Sequence, residues 1–256
     1  MTKIYAIANQ KGGVGKTTSV INLCAYLAES GRRVLLVDID PQANATSGLG
    51  YDKYQLELSA YDLLLEEAEF NEVVQRHGSY KLDVLPSHPS LAGAEVELVS
   101  VIGREYRLKN VLAGVNGRYD YILIDCPPSL GLLTVNALTA AKDGVLIPVQ
   151  CEYLALEGLT QLTQTIELVQ KYLNPALHIR GLIMTMYDSR TNLSRQVVEE
   201  VRGHFPGQVF RAIIPRNVRL SEAPSFGQPI NAYAPNSPGA IAYKVLTAEL
   251  VKGDME

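Results

Sequence analysis

No stretch of the sequence approaches the roughly 18 uninterrupted apolar residues that a membrane span requires. The first residues, Met1-Thr2-Lys3-Ile4-Tyr5, enter an apolar run at once and lack the design of a cleavable leader. Cysteine is scarce. Cys24, Cys126 and Cys151 are odd in number, widely separated and form no C-x-x-C pair, which fits neither a disulfide framework nor a zinc site. The four histidines, His77, His88, His178 and His204, show no ligand spacing. No internal repeat and no Pro/Gly/Ser-rich linker divides the chain, and its 20 glycines and 13 prolines are ordinary for 256 residues. An apolar content of 47% excludes intrinsic disorder. The expectation is one cytoplasmic domain spanning 1–256, large enough to bury a sizeable core.

Charge is unevenly spread. From Ala176 to Arg219 there are seven arginines, no lysine and three acids, a local charge of +4 that leaves −8 elsewhere on a chain of net −4. From Gln55 to Gln75 there are six acids and no basic residue. Such segregation can give an acidic protein a basic face, although scattered solvated arginines would look the same in sequence.

Short β-branched runs alternate with longer helical ones. Segments Ile4–Ala8, Arg33–Val37, Leu82–Leu85, Tyr121–Ile124, Gly144–Val149, Ile179–Met184 and Val209–Ile214 read as strands, several apolar at consecutive positions as in a parallel sheet buried on both faces. Between the first two, Val20, Leu23, Cys24, Leu27 and Ala28 mark one helical face, with Gly31 placed to end the helix. Further helices are predicted over Leu91–Val115, Leu130–Ala141, Leu156–Tyr172, Leu193–His204 and Gly239–Val251. This alternation implies right-handed crossovers, hence an α/β fold with a doubly wound, mostly parallel sheet flanked by helices. Ligands of such sheets sit at the carboxyl ends of the strands, where the chain places Asn9–Thr18, Asp38–Gln42 and Asp125–Ser129.

The run Lys11-Gly12-Gly13-Val14-Gly15-Lys16-Thr17-Thr18 lies between a strand and an amphipathic helix. Glycines let backbone N–H groups converge on phosphate oxygens, and the helix N-terminus adds partial positive charge. Lys16 can reach the β- and γ-phosphates, and the Thr17 hydroxyl can ligate Mg²⁺. The common pattern G-x-x-x-x-G-K-[ST] is not met strictly, because Gln10 stands where its first glycine would be, and a second lysine, Lys11, heads the loop. One use for that outward lysine is the phosphate of a second nucleotide held by a facing subunit.

This arrangement resembles the deviant Walker A family of P-loop ATPases, which includes the ParA/Soj partition ATPases, MinD and the nitrogenase iron protein. The likeness covers nearly the whole chain and is closest to the short ParA/Soj ATPases. It rests on Lys11–Thr18, Val37–Gln42, Tyr121–Ser129, Pro148–Tyr153, Asp188–Leu193 and Ile214–Ser225. The resemblance implies Mg²⁺-dependent ATP hydrolysis, with Lys11 reaching across a nucleotide-sandwich dimer, Asp125 and Asp38 supporting the metal shell with Thr17, and Asp40 orienting or deprotonating the attacking water. Asp38 and Asp40 could also simply cap a strand or open a helix. Adenine contacts are implied at Pro215, Arg216 and Asn217, where an ordinary strand-end turn is the other reading. No cis arginine finger is evident, so hydrolysis should be slow and await an activator. The family's usual activator is a ParB/Spo0J-type centromere-binding protein.

The same resemblance implies non-specific binding of duplex DNA by the ATP dimer. Arg190 and Arg219 occupy the matching motif positions, and Arg195, Arg202, Lys244 and Lys252 are further candidates. No helix-turn-helix precedes the glycine loop, so contact with the phosphate backbone, independent of sequence and sensitive to salt, is the expectation. A MinD-like membrane-positioning ATPase is the alternative function. Against it stands the chain end, Lys252-Gly253-Asp254-Met255-Glu256, whose two acids an anionic bilayer would repel. A shared iron–sulfur cluster would need suitably placed cysteines, and Cys24, on a helix face that reads as buried, does not suit one.

Overall fold

The computed structural model describes residues 1–78, 80–153 and 156–255. Seven strands, β1 (Lys3–Ile7), β2 (Val34–Asp38), β3 (Gln75–His77), β4 (Leu82–Leu85), β5 (Tyr121–Asp125), β6 (Val145–Gln150) and β7 (Ile179–Thr185), form one sheet in the order β3-β4-β2-β5-β1-β6-β7. Every neighbouring pair is parallel except β3 with β4. The longer helices are α1 (Lys16–Glu29), α2 (Leu132–Ala140), α3 (Glu157–Tyr172), α4 (Asn192–His204) and α5 (Pro238–Met255).

Strand alternation divides the core. Leu35, Val37, Ile122 and Ile124 point to one face, in a buried cluster completed by α2, α3, α4 and the segments 60–73 and 91–115, whereas Val34, Leu36, Tyr121 and Leu123 point to the other, in a cluster with α1 and α5. With both faces covered, the central strands β2 and β5 are buried throughout, which explains their unbroken apolar runs. Helix α1 ends at Ser30, with the Gly31 and Arg32 N–H groups returning to the carbonyls of Ala28 and Leu27. This double return requires Gly31 at φ +86°, a conformation that favours glycine.

Three expectations change and one strand was not foreseen. The edge strand β3 carries Gln75, Arg76 and His77, whose polar character gives no strand signal, although its antiparallel pairing to β4 defines it. The region 91–115 is not one helix. It breaks into Leu91–Glu97, single 3₁₀ turns at Leu98–Ser100 and Arg104–Tyr106, and Arg107–Ala113. Gly103 at φ +73° turns the chain between them. Val209–Ile214 runs beside β7 but pairs with it only intermittently, through Phe210 N–H to the Leu182 carbonyl and Ile214 N–H to the Met184 carbonyl. The intervening N–H groups of Arg211 and Ala212 donate to the Glu249 carboxylate instead, so no regular ladder forms.

The last correction concerns Asp254, which is no solvated acid facing a membrane. Its carboxylate is 4% exposed and accepts from Tyr5 Oη at 2.5 Å, from Tyr121 Oη at 3.0 Å and from Arg180 at 3.3 Å. It therefore fastens α5 to β1, β5 and β7, and cannot carry the repulsion assigned to it from sequence; Glu256 lies outside the described residues. Among the described residues no helix is long and apolar enough to cross a membrane.

Candidate active site

The glycine loop connects β1 to α1 at the carboxyl edge of the sheet. Gly13 and Gly15 adopt φ +75° and +89°, which excludes most side chains there. A Cβ on Gly12 would meet no protein atom within 4 Å. Nothing inside the fold therefore demands glycine at 12; a side chain there would obstruct only the open face of the loop. Two buried residues brace this loop. Asn9 accepts from the Lys11 N–H at 3.0 Å and donates to the Pro148 carbonyl at 2.7 Å, while Thr185, at the end of β7, donates to the Val14 carbonyl at 2.8 Å.

Lys16 is buried and its ammonium donates to the Lys11 carbonyl at 3.3 Å. Burial lowers its pKa, only partly countered by Asp125 and Asp40. The Thr17 hydroxyl donates to Asp125 Oδ2 at 2.8 Å. The other oxygen, Asp125 Oδ1, is buried without any hydrogen-bond partner. Burial, followed by the nearby Asp38, pushes the Asp125 carboxyl well above the ordinary range. Asp38 is pushed up to about 6 by burial, against the pull of its hydrogen bonds from Thr46 and Asp40. A fully buried carboxylate with an orphaned oxygen beside a hydroxyl is a site short of positive charge. Thr17 and Asp125 therefore fit a Mg²⁺ ion, which needs few protein ligands because it keeps several waters.

Asp40 lies at the rim of this cluster, 5% exposed, with Oδ1 accepting from the Gln42 N–H at 2.9 Å. Both oxygens of Asp38 are engaged by protein: Oδ1 by the Asp40 N–H, Oδ2 by the N–H and hydroxyl of Thr46. Next to the loop lies a cavity of about 340 Å³, whose lining includes Gly15, Thr18, Thr185, Pro215, Arg216 and Asn217. Residues 215–217 and the glycine loop, some 200 positions apart, thus share one pocket. The Asn217 side chain also caps the short helix Val218–Glu222 by accepting from the Arg219 N–H at 2.8 Å. Tyr243 of α5 lines the same cavity and its hydroxyl lies 3.0 Å from that of Ser19 in α1.

The chain matches a family model described as an AAA domain over residues 2–179. It is 59% identical over 250 residues to the sporulation initiation inhibitor protein Soj of Bacillus subtilis, covering 98% of both chains. It is 56% identical to the chromosome partitioning protein ParA of Myxococcus xanthus, covering 98% of this chain and 89% of that one. The chain belongs to the ParA/Soj family. Among solved structures, one described as cobyrinic acid a,c-diamide synthase from Mycobacterium smegmatis, with bound ADP and magnesium, is 42% identical with a TM-score of 0.89, covering 100% of this chain and 96% of that chain. The cell division ATPase MinD of Pyrococcus furiosus superposes with a TM-score of 0.80 at 28% identity, covering 98% and 99% of the two chains.

Within this family fold the basic candidates do not form one cluster. Arg190 and Arg195 flank the start of α4, and Arg219 lies in the helix after Asn217. Arg190 is paired with Asp188 at 2.7 Å and Arg219 with Glu222 at 2.8 Å; both arginines are exposed. Arg195 donates to Asn192 at 3.0 Å. Lys244 instead lines a groove with Glu29 and Arg32, at the end of α1 farthest from the glycine loop. All three cysteines are buried and reduced, on separate elements. Sequence reading placed Asn9 at the strand end without its bracing role and missed Thr46, Thr185 and Tyr243, which acquire roles through contacts across the fold.

Proposed function

We propose that this chain is a Mg²⁺-dependent ATPase of DNA segregation, acting as one unit over 1–256, whose ATP-bound form dimerises and binds duplex DNA without sequence preference. The two-lysine phosphate loop carries the reading. Residues Gly12–Thr18 cradle the phosphates with backbone N–H groups, and Lys16 neutralises charge on the β- and γ-phosphates. Thr17 and Asp125 hold Mg²⁺, with Asp38 behind them. The ion, when bound, supplies charge neutralisation for the transferring phosphoryl group. Asp40 orients the attacking water and accepts its proton. Pro215, Arg216 and Asn217 hold the base. Lys11 places its ammonium on the nucleotide of the facing protomer, so that dimerisation depends on ATP and hydrolysis dissolves it.

Family membership supports the partition role, since the Myxococcus xanthus relative named for chromosome partitioning is more similar in sequence than the structure described as a synthase. DNA contact falls to Arg190, Arg219, Arg195 and Lys244, and a ParB/Spo0J-type protein accelerates hydrolysis. The molecule works in the cytoplasm on the nucleoid. The decisive experiment is sizing of the parent and Lys11→Ala with ATP and Mg²⁺, with and without non-specific duplex. The parent should dimerise only with ATP and bind duplex only as the dimer, whereas Lys11→Ala should bind ATP and remain monomeric. An ATP-dependent Lys11→Ala dimer of parental affinity would refute the trans role of that lysine.

A further inference from the structure

Behind Asp40 lies a set of buried hydrogen bonds that the phosphate loop does not use. After β2 the chain turns sharply: the Ala43 N–H returns to the Asp40 carbonyl at 2.8 Å, and Ala43 sits at φ +51°, uncommon for a residue with a Cβ. Three side chains hold this turn. The Thr46 hydroxyl donates to Asp38 Oδ2 at 2.7 Å, alongside the Thr46 N–H at 2.8 Å. The same hydroxyl oxygen accepts from the Ser87 N–H at 2.9 Å. The Ser87 hydroxyl donates to the Asp40 carbonyl at 2.7 Å. Asp38, closing the circuit, accepts from the Asp40 N–H at 3.1 Å. Asp38, Thr46 and Ser87 are fully buried.

We infer that Thr46 and Ser87 are positioning residues for Asp40. They reach its backbone from both sides, Thr46 through Asp38 to the N–H and Ser87 directly to the carbonyl, and so fix where its carboxylate points. Each hydroxyl gives its one proton to a protein acceptor, Thr46 to Asp38 and Ser87 to the Asp40 carbonyl. Ser87 follows β4, the strand adjacent to β2, so the register of that pair aligns the two loops. Displacements of an ångström in a catalytic group cost orders of magnitude in rate without altering ground-state binding. The relay therefore acts on turnover and not on nucleotide affinity.

This inference rests on the reading of Asp40 as the residue that orients water. Its test compares Thr46→Val, Thr46→Ser, Ser87→Ala and Asp40→Ala in the full chain, with ATP and Mg²⁺, measuring kcat, ATP affinity and thermal midpoint. Thr46→Val, nearly isosteric, removes the hydroxyl's two contacts and should lower kcat about tenfold or more at unchanged ATP affinity. Thr46→Ser restores the hydroxyl and should restore the rate, which a loss of packing alone would not follow. Ser87→Ala should show the same kcat-only loss, and tests the relay without burdening the fold if Thr46→Val proves unstable. Parental turnover in Thr46→Val and Ser87→Ala, with Asp40→Ala slow, overturns the relay alone. A loss of ATP affinity parallel to the loss of kcat does the same. Parental turnover in Asp40→Ala overturns the assignment of Asp40 and the relay with it.

Discussion

Replacing Asp254 by alanine removes the fastening of α5. The carboxylate has four donor contacts: Tyr5 Oη, Tyr121 Oη, and Arg180 Nε and Nη2. Burial raises the pKa values of both tyrosines above the ordinary phenol range, so both stay protonated and donate. Truncation leaves two phenol groups without an acceptor and Arg180 without its counter-ion. Breaking a buried pair by removing one partner costs about 3–5 kcal/mol. The Arg180 side chain is 20% exposed and keeps the Leu250 carbonyl, so it regains some hydration. The lower end, about 3 kcal/mol, applies. For a chain of this size that lowers the melting temperature by about 6–12 °C. Asp254→Asn, which keeps an acceptor oxygen, should lose less. Scanning calorimetry, with agreement of calorimetric and van't Hoff enthalpies as the check on two-state behaviour, measures both. A fall below about 1 °C for Asp254→Ala would show that this contact does not hold α5 to the sheet.

Two further outcomes follow from the site. Arg190→Ala and Arg219→Ala should each weaken duplex binding and reduce the salt slope by about one, leaving the ATP dimer intact. Both arginines are exposed, so their ion pairs yield readily to phosphate, and loss of the dimer in sizing experiments would move the residue to the protomer interface. For pH, Asp38 is raised to about 6. Its neutral form favours folding, so this contribution is present below the unfolded carboxyl value of about 4 and is lost as pH rises through 6. Mg²⁺ and ADP relieve that cost, so the thermal shift they induce should be larger at about pH 7.5 than at about pH 5; equal shifts would refute the linkage.

Much of the fold was legible because its signals are local. Consecutive apolar residues in β2 and β5, the period of α1 and the glycines of the phosphate loop each report a conformation that neighbouring residues impose. Asp125 and Asp38 were legible as acids ending apolar strands, with Asp40 two residues beyond the second. The region 91–115 was not, because buried leucines at helical spacing persist through a Gly103 turn that periodicity cannot see.

Amino-acid order alone decided the strand–helix alternation, the two-lysine loop and the family, since each is written in residues close along the chain. Tertiary structure alone decided that Thr46 and Ser87 reach the backbone of Asp40, that Thr185 braces Val14 and that Asp254 is buried against β1. Those contacts join positions tens to hundreds of residues apart. Strand order and register set such distances, and a serine, threonine or aspartate carries no local mark of the partner that folding brings to it.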